Sequence, residues 1–353
     1  MPIARKRFQI YNFLVRDITM VNGKKITIHD IAEKAHVSIS TVSRVLNNNN
    51  HVAEGKRRVV MQVIKELNYK PNSFAQGLAS GQSMTIGILT QRISSPIYDT
   101  ILFGILQGID GSGYLSLFAD GNWDPVIEKK SIQTFTERNV DGLIILGGKL
   151  SPEFLLSVAE MVPTILIGRY IPALSNQCLR LDDYQGAYLA TQHLIDLGHK
   201  QIAHITGLVT HPDARERLNG YSQALIDAGI EPNQDLVIDG DYTEASGLMA
   251  IEMLLTRKHV FSAIFAANDQ MAFGARLALY RRGIRIPEDV SIIGFDDQVT
   301  SAYVTPPLTT IHFPAMEMGI TAGKAILGLI KGEEYTLPVF QPTLSPREST
   351  ARR

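Results

Sequence analysis

Apolar side chains follow two different rhythms along this chain. Between residues 27 and 67 they recur at helical spacing: Ile28, Ile31, Ala32 and Ala35, then Val37, Val42, Val45 and Leu46, then Val59, Val60, Val63, Ile64 and Leu67. The pattern predicts three short helices, with His36-Val37-Ser38 as the corner between the first two and Ser38 as N-cap of the second. The third, from about 54 to 67, buries its stripe against them. Consecutive asparagines at 47–50 compete with a helix for backbone hydrogen bonds and predict a loop. From Met84 onward, short apolar runs at 85–89, 115–119, 142–146, 164–167, 201–206, 263–266 and 290–295 alternate with helical patterns at 97–111, 127–138, 186–197, 214–228, 244–256, 270–282 and 315–331. That alternation predicts two doubly wound parallel α/β lobes, a fold that holds ligands at the carboxyl ends of its strands.

Length and composition suit this division. At 353 residues and 45% apolar content the chain has room for two or three domains with full cores, and no segment approaches the ~18 uninterrupted apolar residues of a membrane span. One cysteine, Cys178, excludes an internal disulfide framework and fits a reducing cytoplasm. The net charge of −1 conceals a split: residues 1–81 carry 13 Lys and Arg against 5 Asp and Glu, a balance of +8, and residues 82–353 carry 21 against 30, a balance of −9. A basic head on an acidic body suits nucleic acid at one end and a different partner at the other.

The second predicted helix opens with Ser38, Ile39, Ser40 and Thr41 and then presents Ser43, Arg44 and Asn47, an outer face fitted to something polar and anionic. In a helix-turn-helix that face enters the DNA major groove. The run from Asp30 to Asn47, D-I-A-x-x-A-x-V-S-x-x-T-V-S-R-V-L-N, resembles the headpiece of the lactose/galactose repressor family of bacterial transcription regulators. The match continues through Val52-Ala53, Arg57, Val59 and Leu67-Asn68-Tyr69-Lys70-Pro71-Asn72 to Ala75 and Leu78; Gly55 and Lys56 depart from the family's usual residues. The resemblance implies a repressor without a cofactor, binding a pseudo-palindromic operator as a homodimer. On that reading Ile39 and Ser40 meet base edges and Arg44 pairs with guanine, while Thr27, Ser38, Thr41, Ser43, Asn47 and Asn72 hold phosphates. Residues 71–81 are about two turns long and contain Gly77, so a helix there is marginal in isolation. In the family this hinge helix, which here includes Ala75, forms on DNA, pairs with its twin and wedges a leucine, matched by Leu78, into the minor groove. A flexible linker with Leu78 in a core is the plainer alternative.

In the body, Asn268-Asp269 and Asp296-Asp297 follow predicted strands, and Arg217 lies in the helix opening 213–221. Asn, Asp and Arg together offer donors and acceptors for vicinal hydroxyls, and an aromatic such as Tyr242 covers a sugar's C–H face. These positions resemble the family's inducer site, which implies a small sugar held by Arg217, Asn268 and Asp296 with Tyr242 stacked on it; Tyr98 is similarly placed after the first strand. Phe313 stands where many relatives carry glutamine, a change that favours stacking as in galactose- or β-glucoside-type relatives. Plainer readings stand beside these: Asp296-Asp297 as Asx-turns, Asn268-Asp269 as an N-cap with Asp269 the expected capping residue, and Trp123 and Arg169, near plausible cleft positions, as half-buried packing. Residues 309–314 read as the crossover back to the first lobe.

The expected organisation is therefore α/β: an all-α helix-turn-helix headpiece with a hinge helix, then a two-lobed, doubly wound, periplasmic-binding-protein-like effector domain. Its boundaries are an N-terminal extension over 1–24, the DNA-binding domain over 25–70, the hinge and linker over 71–83, a first lobe of 84–180 with 311–340 and a second of 181–310 with 341–353. Residues 1–19 read either as preceding a translation start at Met20 or as a basic arm, a choice the native protein's mass decides. Enzyme readings lack their motifs: 108–113 ends a helix and so is no dinucleotide loop, and Walker-A, H-E-x-x-H and G-x-S-x-G are absent. No leucine heptad tail predicts a tetramer. The competing class is a sugar-binding receptor of the transport type, which shares the two-lobed body and lacks the headpiece.

Overall fold

The computed structural model describes residues 20–21, 24–46, 52–69 and 82–353. The chain divides into two compact units, Met1–Ser83 and Met84–Arg353. The expectations for residues 1–19, for Asn47 and for the hinge segment with Asn72, Ala75 and Leu78 lie outside the described residues.

In the first unit a two-residue antiparallel ladder, β1 (Met20–Val21) with β2 (Lys24–Lys25), precedes three helices: α1 (Ile28–Lys34), α2 (Ile39–Leu46) and α3 (Glu54–Glu66). Asp30 closes the start of α1, its carboxylate accepting from Thr27 N at 2.6 Å and Thr27 Oγ1 at 2.8 Å. The corner is a left-handed cap. His36 has φ 51°, its N–H reaches the Glu33 carbonyl, and Val37 N–H reaches the Ala32 carbonyl, the paired bonds that terminate a helix and turn the chain. Asn68, with φ 47°, ends α3 in the same way. Ile31, Ala32, Ala35, Val42, Val45, Val60 and Val63 are buried together between the helices, each branched side chain contributing about 1.5–3 kcal/mol on leaving water.

The second unit is built on two six-stranded sheets. One has the order β13-β7-β6-β5-β3-β4, formed by β3 (Thr85–Thr90), β4 (Leu115–Asp120), β5 (Gly142–Leu146), β6 (Thr164–Ile167), β7 (Cys178–Leu181) and β13 (Val339–Phe340), all parallel. The other has the order β14-β12-β11-β10-β8-β9, formed by β8 (Ile202–Thr206), β9 (Val237–Asp239), β10 (Ala263–Ala266), β11 (Ser291–Asp296), β12 (Thr309–His312) and β14 (Thr343–Ser345), parallel except for β14 against β12. Helices α4 (Pro96–Ile109), α5 (Pro125–Glu137), α6 (Pro152–Met161) and α11 (Ala315–Ile330) go with the first sheet. Helices α7 (Asp183–Asp196), α8 (Pro212–Asp227), α9 (Glu244–Thr256) and α10 (Asp269–Arg281) go with the second. Fully buried Ile, Leu and Ala residues fill the layer on each face of each sheet, as crossover helices on both sides of a parallel sheet require.

The chain passes between the sheets after β7, after β12 and between β13 and β14. Residues 309–312, expected within a crossover, are therefore a strand of the second sheet, and the crossover shrinks to Phe313 and Pro314. Phe313 and Phe340 pack against the cores of both lobes, and Asp182 N–H donates to the Phe340 carbonyl at 3.2 Å, tying two crossings together. Helix α11 seats on α4 through facing glycines. A Cβ on Gly104 would lie 2.4 Å from the Met316 carbonyl oxygen, and one on Gly319 would lie 2.2 Å from the Ile101 carbonyl oxygen. Among the described residues no helix is long and apolar enough to cross a membrane.

Candidate functional site

Each unit presents one candidate surface. In the headpiece, α2 turns its buried stripe, Val42 and Val45, inward and leaves Ile39, Ser40 and Arg44 exposed. Ile39, a large aliphatic side chain, is 42% exposed at the first position of its helix, where packing gives no reason for it. Ser38 Oγ accepts from Thr41 N–H at 3.2 Å and lies 2.8 Å from both Ser40 Oγ and Thr41 Oγ1. The hydroxyls thus cluster at the helix start, where free N–H groups and the positive end of the dipole favour anions. Thr27 is exposed at the start of α1, and Ser43 and Thr41 are half-buried.

In the body, a cleft of about 810 Å³ opens between the two sheets at the carboxyl ends of their strands. Tyr98, Arg217, Tyr242, Asn268, Asp296 and Phe313 all line it, together with Trp123 and Arg169. Tyr98 comes from the start of α4 and Phe313 from the crossover; the other four belong to the second lobe.

Arg217 anchors the floor. It is 5% exposed, stacks its guanidinium on Phe295 at 3.7 Å, donates Nε and Nη2 to Asp183 Oδ1 at 2.9 and 2.7 Å, and donates Nη1 to the Ala267 carbonyl. Asp296 Oδ1 lies 4.0 Å from Nη1, too far for a hydrogen bond. Burial opposes the Arg217 charge, but Asp183, Tyr242, Asp213 and Asp296 around it outweigh that cost and hold the guanidinium above its ordinary pKa. Asp296 is buried with φ 114°, and among the described residues its carboxyl accepts a single, long hydrogen bond, 3.4 Å, from Gln298 Nε2. Desolvation pushes it up to about 8 against the pull of Arg217. The neighbouring carboxylate of Asp297 is engaged elsewhere. It accepts from Arg347, His312 and Ser345 and ties the loop to the C-terminal segment.

Asn268 caps α10, its Oδ1 accepting from Met271 N–H at 2.9 Å, and its Nδ2 donates to the Tyr242 carbonyl at 3.1 Å. The cap is thus Asn268, in place of the expected Asp269. Asp269 is sealed in the interior, accepting from Ser301, Thr310 and the Gln298 backbone, because its position one residue into the helix points it back under β11. Tyr242, left-handed at φ 69°, donates its hydroxyl to Asp213 at 2.6 Å. Burial and then Asp213 raise its pKa well above the ordinary tyrosine value. Only glycine fits beneath its ring, since a Cβ on Gly207 would lie 2.0 Å from Tyr242 Cζ. Burial likewise raises Tyr98, with Asp213 adding to it.

Asp183, Asp213 and His211 also line this cleft, and the sequence pattern does not single them out. Asp183 and Asp213 sit in the first turns of α7 and α8, where an acidic residue reads as an ordinary response to the helix dipole; only their distances to Arg217 and Tyr242 set them apart. On the other lobe, buried Glu128 accepts from Lys149 and Leu150 N–H, and Arg169 donates to the Leu150 carbonyl at 2.7 Å. Those bonds fix the loop after β5 as one wall.

Both units resemble known proteins. Residues 27–72 match the model for bacterial regulatory proteins of the lacI family, and residues 191–350 match a periplasmic binding protein-like domain. The transcriptional regulator GalR of Escherichia coli is 36% identical over 330 residues, covering 92% of this chain and 96% of GalR. The crystal structure of the lac repressor dimer bound to operator and an anti-inducer superposes with a TM-score of 0.84 at 31% identity, covering 93% of this chain and all of the other. A lacI-family regulator from Enterococcus faecium with bound ribose superposes with a TM-score of 0.69 at 29% identity, covering 76% and 99%. The chain belongs to the lacI family of bacterial regulatory proteins. It is a DNA-binding transcriptional regulator and not an enzyme, with a helix-turn-helix headpiece joined to a two-lobed ligand-binding body.

Proposed function

We propose that the protein acts in the cytoplasm as a homodimeric repressor whose grip on a pseudo-palindromic operator is set by a small sugar or sugar derivative held between its lobes. The observation that carries this is the convergence of Tyr98, Arg217, Tyr242, Asn268, Asp296 and Phe313 on one cleft. The balance of that cleft argues for a polyol. Arg217 is already matched by Asp183, while Asp213 and Asp296 present acceptors that call for hydroxyl donors. Aromatic rings from both lobes supply the flat apolar faces that a sugar's C–H groups cover.

On the DNA side, Ile39 and Ser40 read base edges, Arg44 pairs with guanine, and Thr27, Ser38, Thr41, Ser43, Asn47 and Asn72 hold the backbone. The segment with Ala75 and Leu78 wedges the minor groove. The lobes divide after β7, at Phe313 and Pro314, and between β13 and β14, whereas the expected divisions at 180/181 and 310/311 cut through β7 and β12. The ligand acts only through its differential affinity for the lobe arrangements. Two measurements test the proposal. Thermal shift against a sugar panel is expected to raise the melting temperature for one class, since a ligand at 100 times its Kd adds about 2.7 kcal/mol. Footprinting of Leu78→Ala is expected to lose the specific complex while sugar binding persists. Indifference to every sugar, or no preference for any genomic site over random DNA, overturns the respective half.

A further inference from the structure

His211 presents an imbalance that the family reading does not use. It is the N-cap of α8 but makes no side-chain capping bond, is 2% exposed, and among the described residues neither of its ring nitrogens has a hydrogen-bond partner. Its ring stacks on Trp123 with centroids 3.9 Å apart and planes at 23°, and Tyr242 follows at 6.2 Å. Trp123 comes from the loop after β4 in the first lobe, and His211 from the loop after β8 in the second, so the stack spans the cleft that all three line. The Trp123 loop is held for this: Asn122 and Trp123 both lie at positive φ, 47° and 55°, and Trp123 N–H donates to the buried Gln91 side chain at 2.9 Å. Two successive non-glycine residues in that region cost energy and persist only where the surroundings impose them.

We propose that Trp123 and His211 form a lobe-to-lobe clasp, and that a ligand hydroxyl hydrogen-bonded to the His211 ring makes its closure favourable. The inference rests on the sugar reading above and names a contact and a selectivity within it. Closing the clasp over nothing strands two buried polar atoms, which is costly; a ligand carrying a hydroxyl to that ring removes the cost. Burial holds the imidazole below its ordinary pKa, leaving a neutral ring with one donor and one acceptor, matched to a sugar hydroxyl, which is both. The deoxy analogue at that position is selected against.

Trp123 is the single tryptophan of the chain, so its emission reports the clasp without a label. The experiment uses the full chain with D-galactose, D-glucose, D-ribose and cellobiose as probes, and the variants His211→Ala, His211→Phe and His211→Asn, each checked by melting temperature. In the free protein, His211→Ala is expected to change Trp123 emission and His211→Phe, which keeps a ring, to change it far less; unchanged emission in a folded His211→Ala protein overturns the clasp. For the probe that binds the wild type, His211→Ala and His211→Phe are expected to weaken binding roughly tenfold or more, with partial recovery in His211→Asn. Wild-type affinity in His211→Phe overturns the ligand contact. Failure of the sugar reading looks different: undiminished binding by Arg217→Ala and Asn268→Ala removes the sugar from this cleft. Binding of none of the probes by the wild type counts against sugar as the ligand and against the hydroxyl contact, while the emission of the free variants still decides the clasp.

Discussion

Two guanidinium nitrogens of Arg217 converge on a single oxygen of Asp183, at 2.9 and 2.7 Å, across the junction of α8 and α7. The pair holds Arg217 in place beside Asp296 and beside Asp213, one oxygen of which accepts from Tyr242.

Removing the positive member is expected to cost more than ligand affinity. Arg217→Ala strands buried carboxylates against Phe295, and breaking a buried pair costs about 3–5 kcal/mol. Denaturant unfolding of the body should record that loss, whereas Asp183→Asn, which keeps an acceptor for Arg217, should lose less. Equal stabilities for Arg217→Ala and wild type would contradict the arrangement described.

Stability should depend on pH through Asp296. Its folded pKa, about 8, lies above the ordinary carboxyl value because of burial, so between the two the folded state holds a proton that the unfolded state has lost. Stability is then full at low pH and falls as pH rises towards 8. Buried His204, lowered by burial to about 4, works in the opposite sense below its ordinary value of about 6.5. Asp183 and Asp269, both raised to about 6, add to the decline below that pH, and the lowered His193, His199 and His211 oppose it near 6.5, so Asp296 dominates from about pH 7 to 8. Melting temperature is expected to decline across that window, and Asp296→Asn is expected to flatten the decline.

On the headpiece, exchanging Ile39 and Ser40 is expected to alter the preferred half-site without altering the melting temperature, because both are exposed. Ile31→Ala, by contrast, empties a fully buried position and should destabilise the three helices by about 2–5 kcal/mol. Selection of bound sites from random DNA checks the first, and helix melting checks the second. An unchanged site preference after the exchange would remove α2 from the reading role.

Close approach of α4 and α11 gives a further expectation. Gly104→Ala places a methyl against the Met316 carbonyl, so the helices must part, at about 1–3 kcal/mol. Unfolding of the body should register it while the melting of the headpiece does not.

The parts of this molecule legible from sequence are those with local causes. The headpiece helices, the parallel strands with long apolar runs and the cleft positions that match a family pattern need only neighbouring residues. Apolar spacing places helix starts one or two residues late at Pro96, Pro125 and Pro212, because it misses a proline that opens a helix before its buried stripe begins. It also misses strands β7, β9, β12, β13 and β14: they are two to four residues long and, β13 apart, partly polar, and only their partners make them strands. The same holds within the site. Nothing adjacent to Asp183 announces Arg217, which is 34 positions away, and nothing adjacent to Trp123 announces His211; such pairs exist only once the fold has brought two loops together.

Phe313 gives one side chain two duties. Its ring leans on the interiors of both lobes at the crossover and also borders the ligand's chamber. On the proposed reading, a ligand that touches this side chain also touches the crossover, so binding and lobe rearrangement share one residue. On that reading a substitution at position 313 alters the lining of the cleft and the packing of the crossover together.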